Sequence, residues 1–177
     1  MFQSWETFYL MVGTCAAALV GMMFIVITLT ADIRVEEINR GVTIYHNPTV
    51  FHLGVVVFVS ALLLIPEHLL SMVAAGIALS AIAGLAYVAL TIRRLYERYE
   101  FYQATVWDKL FFGFVPAVTY ALMALGAALI FALPEFAAES IGATTLLLLL
   151  VAIRNAWDVA TFAVRLSRQL AQDDNAK

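Results

Sequence analysis

The sequence predicts an all-α polytopic membrane protein of five transmembrane helices, with the amino terminus outside and the carboxyl terminus in the cytoplasm. Three observations carry this prediction. First, 63% of the 177 residues are hydrophobic and only 13% are charged, against an apolar share of about 45–50% in an ordinary soluble domain. Second, the apolar residues gather into stretches of membrane-crossing length. Third, the basic residues fall in alternate gaps between those stretches.

The five stretches are Thr7–Thr30, Thr49–Ile65, Leu69–Ile92, Leu110–Leu133 and Ile141–Val164. A hydrocarbon core of ~30 Å needs about 20 helical residues at ~1.5 Å each. Four stretches are that long, and the second is at the short end of the range. Apolar and polar residues do not alternate strictly, so a barrel is not predicted. Backbone groups in lipid must satisfy one another, which leaves helices.

The first stretch lacks a basic flank and is too long for a signal-peptide core, so it reads as a retained anchor. Its cysteine, Cys15, has no second cysteine to pair with and reads as a small buried hydrophobe. Pro66-Glu67-His68 makes a tight outer turn between the second and third stretches, and Pro134 to Ser140 makes another between the fourth and fifth. The inner connections are longer: Ala31 to Pro48, and Arg93 to Lys109. In the second of these, Leu95, Tyr99, Tyr102 and Val106 recur at helical spacing without a Gly or Pro. Residues 93–109 are therefore expected to carry the third helix on into the cytoplasm, packed on its own neighbours or docked to another subunit. Residues 171–177 read as a frayed tail. One transmembrane domain, 1–177, accounts for the chain.

Charge sets the orientation. Arg34, Arg40, Arg93, Arg94, Arg98, Lys109, Arg165, Arg168 and Lys177 all lie in the first gap, the third gap or the tail. The positive-inside rule puts those segments in the cytoplasm and the protein in a cell inner membrane. Trp5 at the outer edge, and Trp107 and Trp157 near the inner edge, fit aromatic belts. A net charge of −3 gives no reason to expect nucleic acid as a partner. The outer side is nearly bare, so recognition must take place within the membrane or at its cytoplasmic face.

The tenth cation, Arg154, breaks the pattern. It lies ~20 Å along the fifth stretch from Ile141. A charge near mid-membrane costs about 2.5–3.5 kcal/mol on insertion scales, which makes such a residue a functional candidate. Arg154 shares a helix face with Asp158 and Thr161, and Asn155 adjoins them. Arg before Asp is the weaker order for a pair four residues apart, so a partner on another helix or chain is also open. These four residues are the pore or ligand candidates, set against a structural ion pair or a snorkelling arginine.

Small residues permit close approach of helices in lipid. Gly13, Ala17 and Gly21 in the first stretch, and Gly76, Ser80 and Gly84 in the third, each make one face for packing within the chain or between subunits. Pro116 is a kink and a possible hinge, freeing the carbonyl four residues earlier. His52 and His68 lie ~24 Å apart along a helix, and no paired His, Cys or Glu spacing accompanies them. No metal or cofactor is expected. No catalytic motif is present, so no enzyme is expected. The opening, Trp5-x-x-Phe8-Tyr9-x-x-x-Gly13-Thr14-x-Ala16-Ala17-Ala18-Leu19-x-Gly21, resembles that of small bacterial membrane proteins, a likeness that covers one span and brings no activity with it.

The expected function is a small channel or permeation pathway formed between copies of the chain. The alternative is a non-catalytic accessory or assembly subunit of a larger membrane complex, reached through 93–109. The expected partners are the lipid bilayer and further copies of the chain.

Overall fold

The computed structural model describes residues 2–30, 47–66, 69–96 and 105–175. Arg34, Arg40, His46, Glu67, His68, Arg98, Tyr99, Tyr102 and Lys177 lie outside them. The described chain is helical throughout its elements. We number the helices α1 (Glu6–Thr30), α2 (Asn47–Leu64), α3 (Leu70–Tyr96), α4 (Val106–Leu129) and α5 (Pro134–Asn175). A short 3-10 turn, Gln3–Trp5, leads into α1. Within α4 a π turn, Leu110–Phe114, joins the first α turn to the rest.

Four of the five helices (α1, α3, α4 and α5) are long and apolar enough to cross a membrane, and α2 is a shorter apolar helix. This is the make-up of a multi-pass membrane protein. The helices close into a bundle in chain order, α5 returning to α1, with α2 also meeting α5 across the middle. Large side chains fill the interior: Tyr9, Leu53, Ile77, Phe112, Tyr120, Met123, Ile141 and Leu148 are all fully buried. Other large apolar residues, such as Met22, Phe24, Leu79, Ile82 and Phe131, point outward. That inversion suits lipid, which solvates an exposed leucine as readily as the core does.

Glycines set how closely the helices approach. A Cβ on Gly84 of α3 would run into the Tyr120 ring of α4, and one on Gly76 would meet Leu62 of α2. A Cβ on Gly13 of α1 would lie 2.8 Å from Ser60 Cβ of α2. Near the start of α5, Gly142 makes room for Trp5. Buried hydroxyls turn back on their own helices. Ser80 donates to the Gly76 carbonyl, Thr91 to Tyr87, Thr119 to Val115 and Thr145 to Ile141, at 2.7–3.0 Å. A hydroxyl satisfied four residues back leaves a side chain of apolar shape.

Local chemistry sets where the helices begin and end. Pro134 opens α5 rather than closing a connection, because a proline at the first helical position loses no hydrogen bond. The connection after α4 is therefore only the turn around Ile130–Leu133. α3 is helical to Tyr96, and residues 97–104, where the expected cytoplasmic extension falls, lie outside the described residues. Thr105 is extended, and its hydroxyl accepts from the Asp108 N–H at 3.2 Å while its own N–H donates to Asp108 at 2.8 Å. This reciprocal cap starts α4 at Val106. Helix α5 runs as far as Asn175.

Candidate functional site

Two polar groups interrupt the apolar interior. The first is built on the sequence candidates Arg154, Asn155 and Asp158, which the fold brings against the π turn of α4. Asn155 is fully buried, and its Nδ2 donates to the Phe111 carbonyl at 3.2 Å. Beside it, the Arg154 guanidinium lies 3.8 Å from the centre of the Phe111 ring. Arg154 Nη1 also donates to Asn155 Oδ1 at 3.2 Å and pairs with Asp158 Oδ2 at 2.9 Å. The Trp107 ring stacks with that of Phe111, centroids 6.2 Å apart.

The reason for this convergence lies in the backbone of α4. The Val115 N–H donates to the Leu110 carbonyl, five residues back. One step further, that ladder requires an N–H at residue 116 for the Phe111 carbonyl, and Pro116 has none. The Asn155 side chain supplies the missing donor. Pro116 thus withholds a donor from the π ladder at Phe111 as it would from an α ladder at the carbonyl four residues earlier.

Magnitudes rank these contacts. An i, i+4 ion pair between partly exposed groups contributes roughly 0.3–0.5 kcal/mol; here the side chains are 32% and 45% exposed. A guanidinium over an aromatic face contributes about 0.5–2 kcal/mol. Leaving a buried carbonyl without a donor costs about 1–3 kcal/mol. Asn155 therefore outweighs the more conspicuous ion pair. Thr161 stays outside the group: its hydroxyl donates to the Trp157 and Asp158 carbonyls of its own helix.

The second group, on α2 and α4, did not stand out in the sequence. His52 is fully buried, and its Nδ1 lies 2.8 Å from the Tyr120 hydroxyl. Tyr120 rests on the bare backbone of Gly84, and Phe51, next to His52, stacks on Tyr87 of α3 with centroids 4.3 Å apart and planes within 7°. The contact thus ties α2, α3 and α4 together. His52 Nε2, Tyr9 Oη and Ser60 Oγ are buried without a hydrogen-bond partner. A sequence signal existed: His52 sits within an apolar stretch, as Tyr120 does in another, but only the fold sets them side by side.

The small-residue faces divide. Gly13, Gly76 and Gly84 are used inside the chain and Ser80 is buried, whereas Ala17 and Gly21 are exposed, with nothing within 4 Å of a Cβ added at Gly21. Among the described residues no group of three or more His, Cys, Asp or Glu could hold a metal ion. No protein-family model, curated protein or solved structure matches the chain.

Proposed function

We propose that this chain is a non-catalytic, homo-oligomeric permeation subunit of a cytoplasmic membrane, its amino terminus outside and its carboxyl terminus in the cytoplasm. The observation that supports this reading is the placement of Arg154 and Asp158. Both belong to the apolar, membrane-length part of α5, Pro134–Thr161, yet both side chains remain partly exposed on the flank of the bundle. Charged groups on a membrane helix are inexpensive only against water, headgroups or another polar surface. A second copy, meeting the first along this flank and the exposed Ala17–Gly21 face of α1, encloses the pair in a polar seam. A single five-helix chain packed with Tyr120, Met123 and Leu148 leaves little room for such a seam within itself.

The test is conductance or tracer flux through the purified protein in bilayers, with Arg154→Gln and Asp158→Asn singly and together, alongside its subunit count in native membrane extracts. Flux that both single changes alter, from a complex of several identical chains, supports the reading. Monomers without flux overturn it.

One observation favours an accessory subunit as the second reading. α5 continues from Thr161 to Asn175, ~21 Å past the apolar segment at 1.5 Å per residue. Such an arm suits contact with another protein at the membrane face. Native extracts that return this chain with a constant second protein, and no flux from this chain alone, support that reading instead.

A further inference from the structure

We propose that the groove between α2 and α3 holds one acyl chain of an anionic phospholipid whose phosphate is met by Arg94. The two helices run antiparallel, with Leu62 against Gly76 and Phe51 stacked on Tyr87. Between those two contacts they part. The groove there has a volume of about 360 Å³ and is lined by Phe51, Gly54 and Phe58 of α2 and by Leu79, Ser80 and Ala83 of α3. That is room for a small ligand. Gly54 keeps it open, since a Cβ added there would meet nothing within 4 Å. Phe51 and Phe58, three residues before and four after on the same helix face, bound the space that Gly54 leaves.

The lining selects for hydrocarbon. Ser80 is the one polar side chain among these residues, and its hydroxyl is already committed to the Gly76 carbonyl at 2.8 Å. A polar group placed in the groove would lose its hydrogen bonds to water and gain none; an acyl chain has none to lose. Phe58 and Leu79 are 49% and 66% exposed, so the groove opens sideways, and a chain can enter it from the bilayer.

Charge says which amphiphile fits. Tyr87 continues the face of Leu79 and Ala83 in four-residue steps, and Arg94 follows seven residues later on that face. Arg94 lies in the last turn of α3, where the apolar span ends, ~17 Å along the helix from Ala83. The track is thus apolar at one end and cationic at the other, as a phospholipid is hydrocarbon at one end and phosphate at the other. Bulk lipid is as apolar as the groove, so no hydrophobic force holds a chain there. Retention needs a second hold, and a cation at headgroup level supplies it. A second copy of the chain suits the groove less, because the seam proposed between copies lies on α1 and α5. Lipid retention here is independent of permeation.

The experiment is native mass spectrometry of the full chain after reconstitution in vesicles of phosphatidylglycerol and phosphatidylcholine in equal parts and re-extraction in mild detergent. The readout is lipid retained per chain. The unchanged protein is expected to keep phosphatidylglycerol in preference. Gly54→Leu fills the groove and is expected to lower retention at least about tenfold, that is, by about 1.4 kcal/mol or more. Ala83→Leu, on the opposite wall, is expected to do the same and serves if Gly54→Leu does not fold. Gly21→Leu, at a glycine equally open but on α1, is expected to change nothing. Arg94→Gln is expected to cut the preference for phosphatidylglycerol about fivefold, the worth of one cation near an anionic surface, and Arg94→Lys to restore it. No lipid retained by the unchanged protein, or retention that folded Gly54→Leu and Ala83→Leu proteins keep in full, overturns the proposal. So does a photo-crosslinker at Leu79 that captures a second copy of the chain and no lipid. Flux is not read, so failure here is distinct from failure of the permeation reading.

Discussion

His52 and Tyr120 depend on each other. Tyr120→Phe removes the hydroxyl that His52 Nδ1 contacts and leaves a buried imidazole with neither nitrogen partnered within the protein. The expected loss is about 0.5–2 kcal/mol, the lower end reflecting the modest worth of hydrogen bonds inside membranes. Adding His52→Leu removes the stranded polar group. The double variant is therefore expected to be less destabilised than the sum of the two single changes, a coupling readable from thermal unfolding in detergent. Strict additivity would mean that the contact contributes nothing. At Arg154 the balance differs. Asp158→Asn removes a weak, partly exposed pair and is expected to cost under about 1 kcal/mol. Asn155→Leu strands the Phe111 carbonyl and is expected to cost about 1–3 kcal/mol. The order of those two values is the prediction, and equal losses would contradict it. The sequence drew attention to the charge at 154; the fold moved the weight to the amide beside it.

At the scale of elements, helix existence was legible and helix ends were not. The five apolar stretches each became a helix because lipid-length apolar sequence has no other way to satisfy its backbone. The ends shifted where local chemistry outweighed hydropathy. Pro134 starts α5, and Thr105 with Asp108 caps the first turn of α4, although both segments read as connections by composition alone. Close helix approach was legible only in part. Gly84 and Gly21 look alike in sequence, but a Cβ on Gly84 meets the Tyr120 ring whereas one on Gly21 meets nothing. Gly84→Ala is accordingly expected to cost about 1–3 kcal/mol by overpacking. Gly21→Ala is expected to leave stability unchanged or slightly raise it, since alanine is the better helix former. Thermal unfolding of the two variants side by side checks this, and a Gly21→Ala loss as large as that of Gly84→Ala would contradict it.

For the whole molecule, charge asymmetry and the unfilled face of α1 make separate predictions. Impermeant thiol reagents applied to intact cells, in a Cys15→Ser background, should label Glu135→Cys at the start of α5 and leave Lys109→Cys unlabelled until the membrane is opened. The reverse pattern would invert the proposed orientation. Gly21→Ile should leave the fold of a single chain intact, because nothing packs there, and should lower the subunit count in native mass spectra if the Ala17–Gly21 face joins copies. By itself the sequence determined that this is a helical, multi-pass membrane protein, because composition and segment length answer to the bilayer, a solvent that acts on every residue alike. It also singled out Arg154, because a charge among apolar neighbours is expensive in any fold. Only the tertiary structure decided which polar atoms meet. The Asn155–Phe111 and His52–Tyr120 contacts join residues 44 and 68 positions apart, and such pairs depend on how helices rotate and press together, which no single helix's pattern contains.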